Sequence, residues 1–119
     1  MEFMIELYLE NAMEAIETYK KAFNAEVTFL ERSPEGKVIH SELRTNGQII
    51  AIASAEEEVV AGSIFQICVR MKQEEEVRRV YNILEQDCKV NVPLGPCFFS
   101  TCMVDFVDKF QVRWCLFVD

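Results

Sequence analysis

A lone histidine with a carboxylate two residues away is the most reactive pair in this sequence of 119 residues. His40 and Glu42 fall in an extended segment, where residues two apart point to the same face of a sheet. A carboxylate that orients an imidazole is typical of a general base, so both are candidate catalytic residues. The same pair is also typical of a solvated or ligand-contacting strand face, because no nucleophile accompanies the histidine.

Two cysteines form a second group of candidates. Cys68 and Cys115 fall on the strands predicted to open and close the second half of the chain, on the same face as Gln66 and Arg113. Together with Met4, these thiols could form a soft-metal or redox site. The alternative is that each buried cysteine acts as a small hydrophobic residue.

Two arginines and one tyrosine complete the candidates. Arg70 and Arg113 could clamp an anionic ligand, because the guanidinium fork matches a carboxylate or phosphate. The alternative is a salt bridge to Glu6, Glu42 or another nearby acid. Tyr8 is a candidate ligand contact, since it shares its strand face with Met4 and so is expected to face the same side.

The composition excludes several functional classes. A formal net charge of −8 disfavours nucleic acid and anionic membranes as partners, and no apolar run approaches the roughly 20 residues of a membrane span. Five cysteines without a C-x-x-C spacing disfavour a disulfide framework or a zinc finger and are typical of reduced, cytoplasmic proteins. Nucleotide-binding and serine-hydrolase spacings are missing, so we expect no cofactor.

The hydrophobic pattern predicts the order strand, helix and three strands, twice over. Asn46-Gly47 is a strong hairpin signal in the first half, Pro93 is expected to stop a strand in the second, and Trp114 is expected in the core. The predicted strands cover residues 3–9, 26–32, 37–44, 48–54, 63–71, 89–92, 98–106 and 110–118, and the predicted helices cover residues 12–23 and 73–86.

This order predicts an α+β fold built from two βαβββ modules. Module 1 covers about residues 1–55 and module 2 about residues 62–119, within one domain of residues 1–119. A single helix covers only one face of each four-stranded sheet. We therefore expect two curved mixed sheets around a shared cavity, with the helices on the outer faces.

Several blocks of the sequence then carry a family resemblance. They are EAIETYKKAF (14–23), HSELR (40–44), EEEVRRVYNIL (74–84), KV (89–90), PL (93–94) and DKFQVRW (108–114). In order and spacing, the chain resembles the glyoxalase/bleomycin-resistance/extradiol-dioxygenase, or vicinal oxygen chelate, superfamily, and within it the PhnB-like branch. The chain differs at Gln111, where the branch usually has a glycine in the turn before the last strand.

The resemblance also implies where a metal would be held. Enzymes of the superfamily place histidine or glutamate ligands on the first and last strands of each module. Those positions fall on Met4, on Ala51 or Ala53, on Gln66 and on Cys115. A hard divalent cation needs several imidazole or carboxylate ligands. We therefore expect this chain to lack the superfamily's metal site.

By this resemblance, the chain is expected to be a small-molecule-binding protein that acts as a homodimer on an unidentified ligand. One alternative is an isomerase or lyase type of enzyme that uses His40 as general base with Glu42. Another is an interaction module with a vestigial cavity. No segment resembles a binding loop for an adenosyl cofactor, so methyl transfer has no support. The residues expected to contact a ligand are Met4, Tyr8, Gln66, Cys68, Arg70, Arg113 and Cys115.

Overall fold

A computed structural model describes all residues, 1–119, as two compact units, Met1–Val59 and Val60–Asp119. Unit 1 contains β1 (Ile5–Leu9), α1 (Ala12–Ala22), β2 (Glu26–Arg32), β3 (Val38–Thr45) and β4 (Gln48–Ser54). Unit 2 contains β5 (Ile67–Met71), α2 (Glu74–Leu84), β6 (Lys89–Cys97), β7 (Ser100–Val107) and β8 (Arg113–Val118). The predicted α+β class and the repeated βαβββ order are confirmed.

Each unit forms one four-stranded mixed sheet of the same topology. The strand orders are β1-β4-β3-β2 and β5-β8-β7-β6. The first strand of each unit pairs in parallel with its last strand, and the other pairings are antiparallel. Residues from the beginning and the end of a unit therefore lie side by side, with the first strand at one edge of the sheet.

One helix packs on one face of each sheet. In α1, the fully buried side chains include Ala15, Ile16 and Tyr19, and the helix contacts β1, β3 and β4. Helix α2 packs on β5, β7 and β8. The predicted core position of Trp114 is confirmed, because it is fully buried on β8. Neither helix is long and apolar enough to cross a membrane.

The prediction that a strand stops at Pro93 was wrong. Strand β6 continues through Pro93 to Cys97. Because β6 is an edge strand, a residue without a backbone N–H can be accommodated there without breaking a ladder on both sides. The pairing with β7 is also irregular between Val92 and Cys97. As a consequence, Phe98 lies in the connection to β7 and not in the predicted strand.

Two turns contain residues with positive φ, the predicted hairpin at Asn46-Gly47 and the turn at Gln111. Asn46 and Gly47 both have positive φ, of 49° and 75°, as a tight two-residue hairpin requires. Gln111 has a φ of 75° in the turn between β7 and β8. The glycine-type conformation is therefore retained without glycine, at a cost of the order of 1 kcal/mol.

Candidate functional site

The face of the unit 1 sheet opposite α1, called here the helix-free face of unit 1, carries the candidate catalytic pair. Glu6 on β1 and Glu42 on β3 are both Cα partners of Ala51 on the strand between them. The fully buried methyl group of Ala51 leaves room above it for larger side chains from both neighbours. This arrangement lets two carboxylates approach the imidazole of His40.

His40 lies between these carboxylates and forms a hydrogen bond to each. Its Nε2 is 2.9 Å from Glu42 Oε2, and its Nδ1 is 3.3 Å from Glu6 Oε1. The Phe29 ring lies beside the imidazole, with the ring centroids 5.8 Å apart. The side chains of His40, Glu6 and Glu42 each keep about 30% of their surface exposed, so a small molecule can reach them.

The second carboxylate changes what His40 can do. The Glu42 hydrogen bond is the main cause that raises the pKa of His40; desolvation opposes it and Glu6 adds to it. Both carboxylates accept hydrogen bonds, and only the imidazolium can donate from both nitrogens. This geometry therefore favours a charged imidazolium over a free base. Sequence reasoning missed Glu6 as a partner of His40, although its position on the same face as Met4 and Tyr8 could have suggested it.

We expect the His40 cluster to make the stability of the protein dependent on pH. The pKa of His40 is raised in the folded state, so the cluster stabilises the protein while His40 is protonated. This contribution to the free energy of unfolding is fully present below the unfolded-state pKa of about 6.5 and is lost as pH rises through the folded-state pKa. The contribution should be below about 1 kcal/mol, as for other partly exposed ion pairs. Urea unfolding between about pH 6 and pH 8 measures it directly.

The matched control for this prediction is His40→Gln, which removes the only histidine and should flatten that pH dependence. The single imidazole also gives an unambiguous NMR titration. A folded pKa at or below that of an unfolded histidine would contradict the arrangement, and Glu42→Gln should lower the measured pKa.

The other unit 1 candidates are Tyr8, on the edge strand β1 of the same sheet, and Met4, directly before that strand. Tyr8 is the Cα partner of Ala53, and its side chain is 60% exposed. Because Tyr8 and Glu6 are two residues apart on β1, they share the helix-free face. Met4 precedes β1 and is exposed. The exposed Tyr8 ring and the half-exposed Phe29 ring therefore give this face apolar surface beside its carboxylates.

In unit 2, the candidate anion clamp is already bonded to a carboxylate. The Arg113 guanidinium donates two hydrogen bonds to Asp105, with Nε to Oδ1 at 3.2 Å and Nη2 to Oδ2 at 3.0 Å. Burial would raise the pKa of Asp105, but hydrogen bonds from Arg113, Asn91 and Gln66 outweigh it, and the pKa lies below its usual range. Arg113 therefore forms a salt bridge, which was the predicted alternative to an anion clamp, and its partner is Asp105.

Of the remaining unit 2 candidates, Cys115 lies on β8, and Gln66, Cys68 and Arg70 lie on β5 or directly before it. The Arg70 side chain is exposed; its Nε lies 3.7 Å from an Asp119 oxygen, and its guanidinium is 5.9 Å from the centroid of the Phe117 ring. Gln66 donates from Nε2 to the Trp114 carbonyl oxygen at 3.4 Å. Arg70 is thus the more accessible of the two candidate arginines.

The positions that correspond to the superfamily's metal ligands do not fit a hard divalent cation. Met4 offers a thioether, Ala51 and Ala53 offer methyl groups, and Gln66 offers a neutral amide. Burial, with the neighbouring Cys68 thiol as the next cause, raises the pKa of Cys115 to about 11, which keeps it protonated. No group of three or more histidine, cysteine, aspartate or glutamate side chains is arranged to hold a metal ion.

The comparisons with known proteins agree with this fold. The sequence profile of the Glyoxalase/Bleomycin resistance protein/Dioxygenase superfamily matches residues 4–116. The structure is similar to protein PA1353 from Pseudomonas aeruginosa, with a TM-score of 0.89 and 19% identity over 100% of this chain and 98% of that one. A genomically encoded fosfomycin resistance protein, FosX, from Listeria monocytogenes has a TM-score of 0.75 and 15% identity over 98% of this chain and 91% of its own.

A further relative confirms the predicted resemblance to PhnB-like proteins. It is a Bacillus cereus protein described as a putative 3-demethylubiquinone-9 3-methyltransferase, PhnB protein. The identity is 26% and the TM-score is 0.87, over 100% of this chain and 98% of that one. No curated protein matches the sequence.

Proposed function

Because this chain belongs to the glyoxalase/bleomycin-resistance/dioxygenase superfamily, we propose that it binds a small organic molecule without a metal ion, through the helix-free face of unit 1. The observation that carries the proposal is the His40 side chain held between two carboxylates on an accessible sheet face. A face in which the polar groups hold each other in position before a ligand arrives loses little entropy on binding.

The charges of this face favour a ligand that is cationic or rich in hydrogen-bond donors. Glu6 and Glu42 together carry two negative charges, and His40 neutralises at most one of them. Each carboxylate keeps acceptor capacity beyond its single bond to the imidazole. The exposed rings of Tyr8 and Phe29 add aromatic surface, on which cations also bind. An organic amine with an aromatic or aliphatic body meets both requirements.

The first experiment is native mass spectrometry of protein purified without added metal and without a histidine tag. We expect a metal-free species that retains an organic molecule. Saturation-transfer NMR with benzylamine, and with benzyl alcohol as its uncharged counterpart, then tests the ligand class. Benzylamine should bind more tightly, because only its ammonium group pairs with the carboxylates.

Stoichiometric zinc, nickel or iron in the spectrum would overturn metal-independent binding. Equal binding of benzylamine and benzyl alcohol would overturn the cationic ligand class.

The native mass spectrum also reports the oligomeric state. We propose a homodimer on the strength of the family resemblance, and a monomeric mass at micromolar concentration would contradict it. Five free cysteines support a reducing, cytoplasmic location.

A second candidate function is an isomerase or lyase type of reaction with His40 as general base. The distance of 2.9 Å from Nε2 to Glu42 favours it, because an orienting carboxylate is part of such a site. The Glu6 side chain must then move away, so that Nδ1 is free to accept a proton from the substrate. This candidate predicts that His40→Ala abolishes turnover while the fold stays intact, and surviving turnover would exclude it.

A further inference from the structure

Two cysteines occupy directly opposed positions in the sheet of unit 2. Cys68 on β5 is the Cα partner of Cys115 on β8 in a parallel pairing. Neighbouring strands lie about 4.8 Å apart, and disulfides join Cα atoms separated by roughly 4.4–6.8 Å. Paired residues of neighbouring strands also point to the same face. The backbone therefore already holds these cysteines within the range in which a disulfide forms.

The two thiols differ in accessibility. Cys68 is exposed, whereas Cys115 is only 8% exposed. The Cys68 thiol donates a hydrogen bond to Gln66 Oε1 at 3.8 Å. Burial, followed by the effect of Cys68 itself, raises the pKa of Cys115 to about 11. A small oxidant from solvent therefore meets Cys68 first, with Cys115 beside it as a protonated thiol.

A guanidinium group lies close to this thiol pair. Arg113 is two residues before Cys115 on β8, and Cys68 is the Cα partner of Cys115, so the three side chains lie on the same face of the sheet.

The surroundings of the other cysteines differ. Cys97 is paired with Ser100 in its ladder, Cys88 lies outside the strands, and Cys102 is buried. None of these three therefore has the combination of an exposed thiol and an opposed cysteine that Cys68 has.

We propose that Cys68 and Cys115 form a hydroperoxide-responsive pair, in which Cys68 is the attacking thiol and Cys115 the resolving thiol. The Cys68 thiolate attacks one peroxide oxygen, the O–O bond breaks, and the leaving oxygen departs as hydroxide or alkoxide. The Cys68 sulfenic acid that results is attacked by the Cys115 sulfur, which loses its proton as the S–S bond forms. The sulfenic oxygen leaves as water. Two thiols are oxidised to a disulfide and one hydroperoxide is reduced.

This reaction would change the surface that unit 2 presents. The disulfide removes the Cys68 thiol donor from Gln66 and links β5 to β8 covalently. Because Cys68 is exposed, a small thiol can reach the disulfide and reduce it. The pair therefore has the properties of a reversible switch, and its operation does not require the ligand proposed for unit 1.

The test is treatment of the reduced full chain with a small excess of hydrogen peroxide, followed by intact mass measurement and non-reducing peptide mapping. We expect a loss of about 2 Da and a linked peptide pair that contains Cys68 and Cys115. Cys88→Ser is the matched control and should behave like the wild type. Cys68→Ser should abolish the linkage, and Cys115→Ser should stop at a sulfenic acid on Cys68 that a cyclic 1,3-diketone traps.

Four outcomes would overturn the proposal. They are no reaction, oxidation of Cys68 to sulfinic acid in the wild type without linkage, a disulfide between two chains, and a linkage to Cys97 in place of Cys115. Cys97→Ser separates the last case, because it should leave the mass loss unchanged if Cys115 is the resolving residue. Circular dichroism of each variant before oxidation shows that a missing linkage is not caused by unfolding.

Discussion

Replacement of Asp108 by alanine is expected to destabilise the protein by about 3 kcal/mol or more. The Asp108 carboxylate is 3% exposed and accepts three hydrogen bonds. They come from the backbone N–H groups of Phe110 and Val112 at 2.8 and 3.0 Å, and from the Trp114 indole Nε1 at 2.8 Å. Alanine would leave three donors without this acceptor, two of them in the turn that places Arg113 and β8. Urea unfolding monitored by far-ultraviolet circular dichroism measures the loss, and the same signal serves variants that lack the only tryptophan.

The control for this prediction is Asp119→Ala, which removes an exposed carboxylate and should change the free energy of unfolding by less than about 0.5 kcal/mol. A double-mutant cycle with Trp114→Phe isolates the bond to the indole. In that cycle, Asp108→Ala should cost less when the indole N–H is already missing. An effect of Asp108→Ala as small as that of Asp119→Ala would show that the turn does not depend on this carboxylate.

The fold could be predicted from sequence because its signals are local and repeated. Asn46-Gly47 is a turn signal with a known backbone geometry, and the structure gives both residues positive φ. The alternating pattern around Trp114 predicted which face of β8 meets α2, and the burial of Trp114 confirms it. Pro93 was misinterpreted because a proline stops a central strand but not an edge strand, and edge position depends on topology, not on local sequence.

The candidate site could be predicted only in part, because its contacts join distant segments. The proximity of His40 and Glu42 follows from a two-residue spacing, and the structure gives the hydrogen bond. The contact with Glu6 spans 34 residues and depends on β1 lying parallel to β4, next to the small Ala51. Likewise, the choice of Asp105 as the partner of Arg113 depends on the register of β7 against β8. Periodicity gives the face of each strand, but pairing decides which side chains meet.

The double variant Glu6→Gln/Glu42→Gln is expected to weaken the binding of benzylamine by at least about tenfold. If the proposed face binds a cationic ligand, each carboxylate contributes a charge-assisted contact worth roughly 1.5–3 kcal/mol at best, and both are lost together. Glutamine keeps the size of each side chain and one acceptor oxygen, so the change is mainly one of charge. Benzyl alcohol should bind the variant and the wild type alike.

The pH dependence of binding separates this explanation from a general loss of structure. His40 carries a positive charge below its raised pKa and competes with a cationic ligand for the same carboxylates. The affinity of the wild type for benzylamine should therefore increase as pH rises through the pKa of His40, while benzylamine itself stays protonated. In the double variant this increase should disappear, and the NMR titration of His40 should move to lower pH.

Glu17→Gln supplies the matched control, because Glu17 is an exposed acid on α1, on the other side of the same sheet, and its loss changes the net charge by one. It should leave the affinity for benzylamine and its pH dependence unchanged. If Glu17→Gln weakened binding as much as each single variant at Glu6 or Glu42, the attraction would come from the overall charge of −8 and not from the cluster. If the double variant bound benzylamine with wild-type affinity while its His40 titration had moved, the carboxylates would hold the imidazole without contacting the ligand.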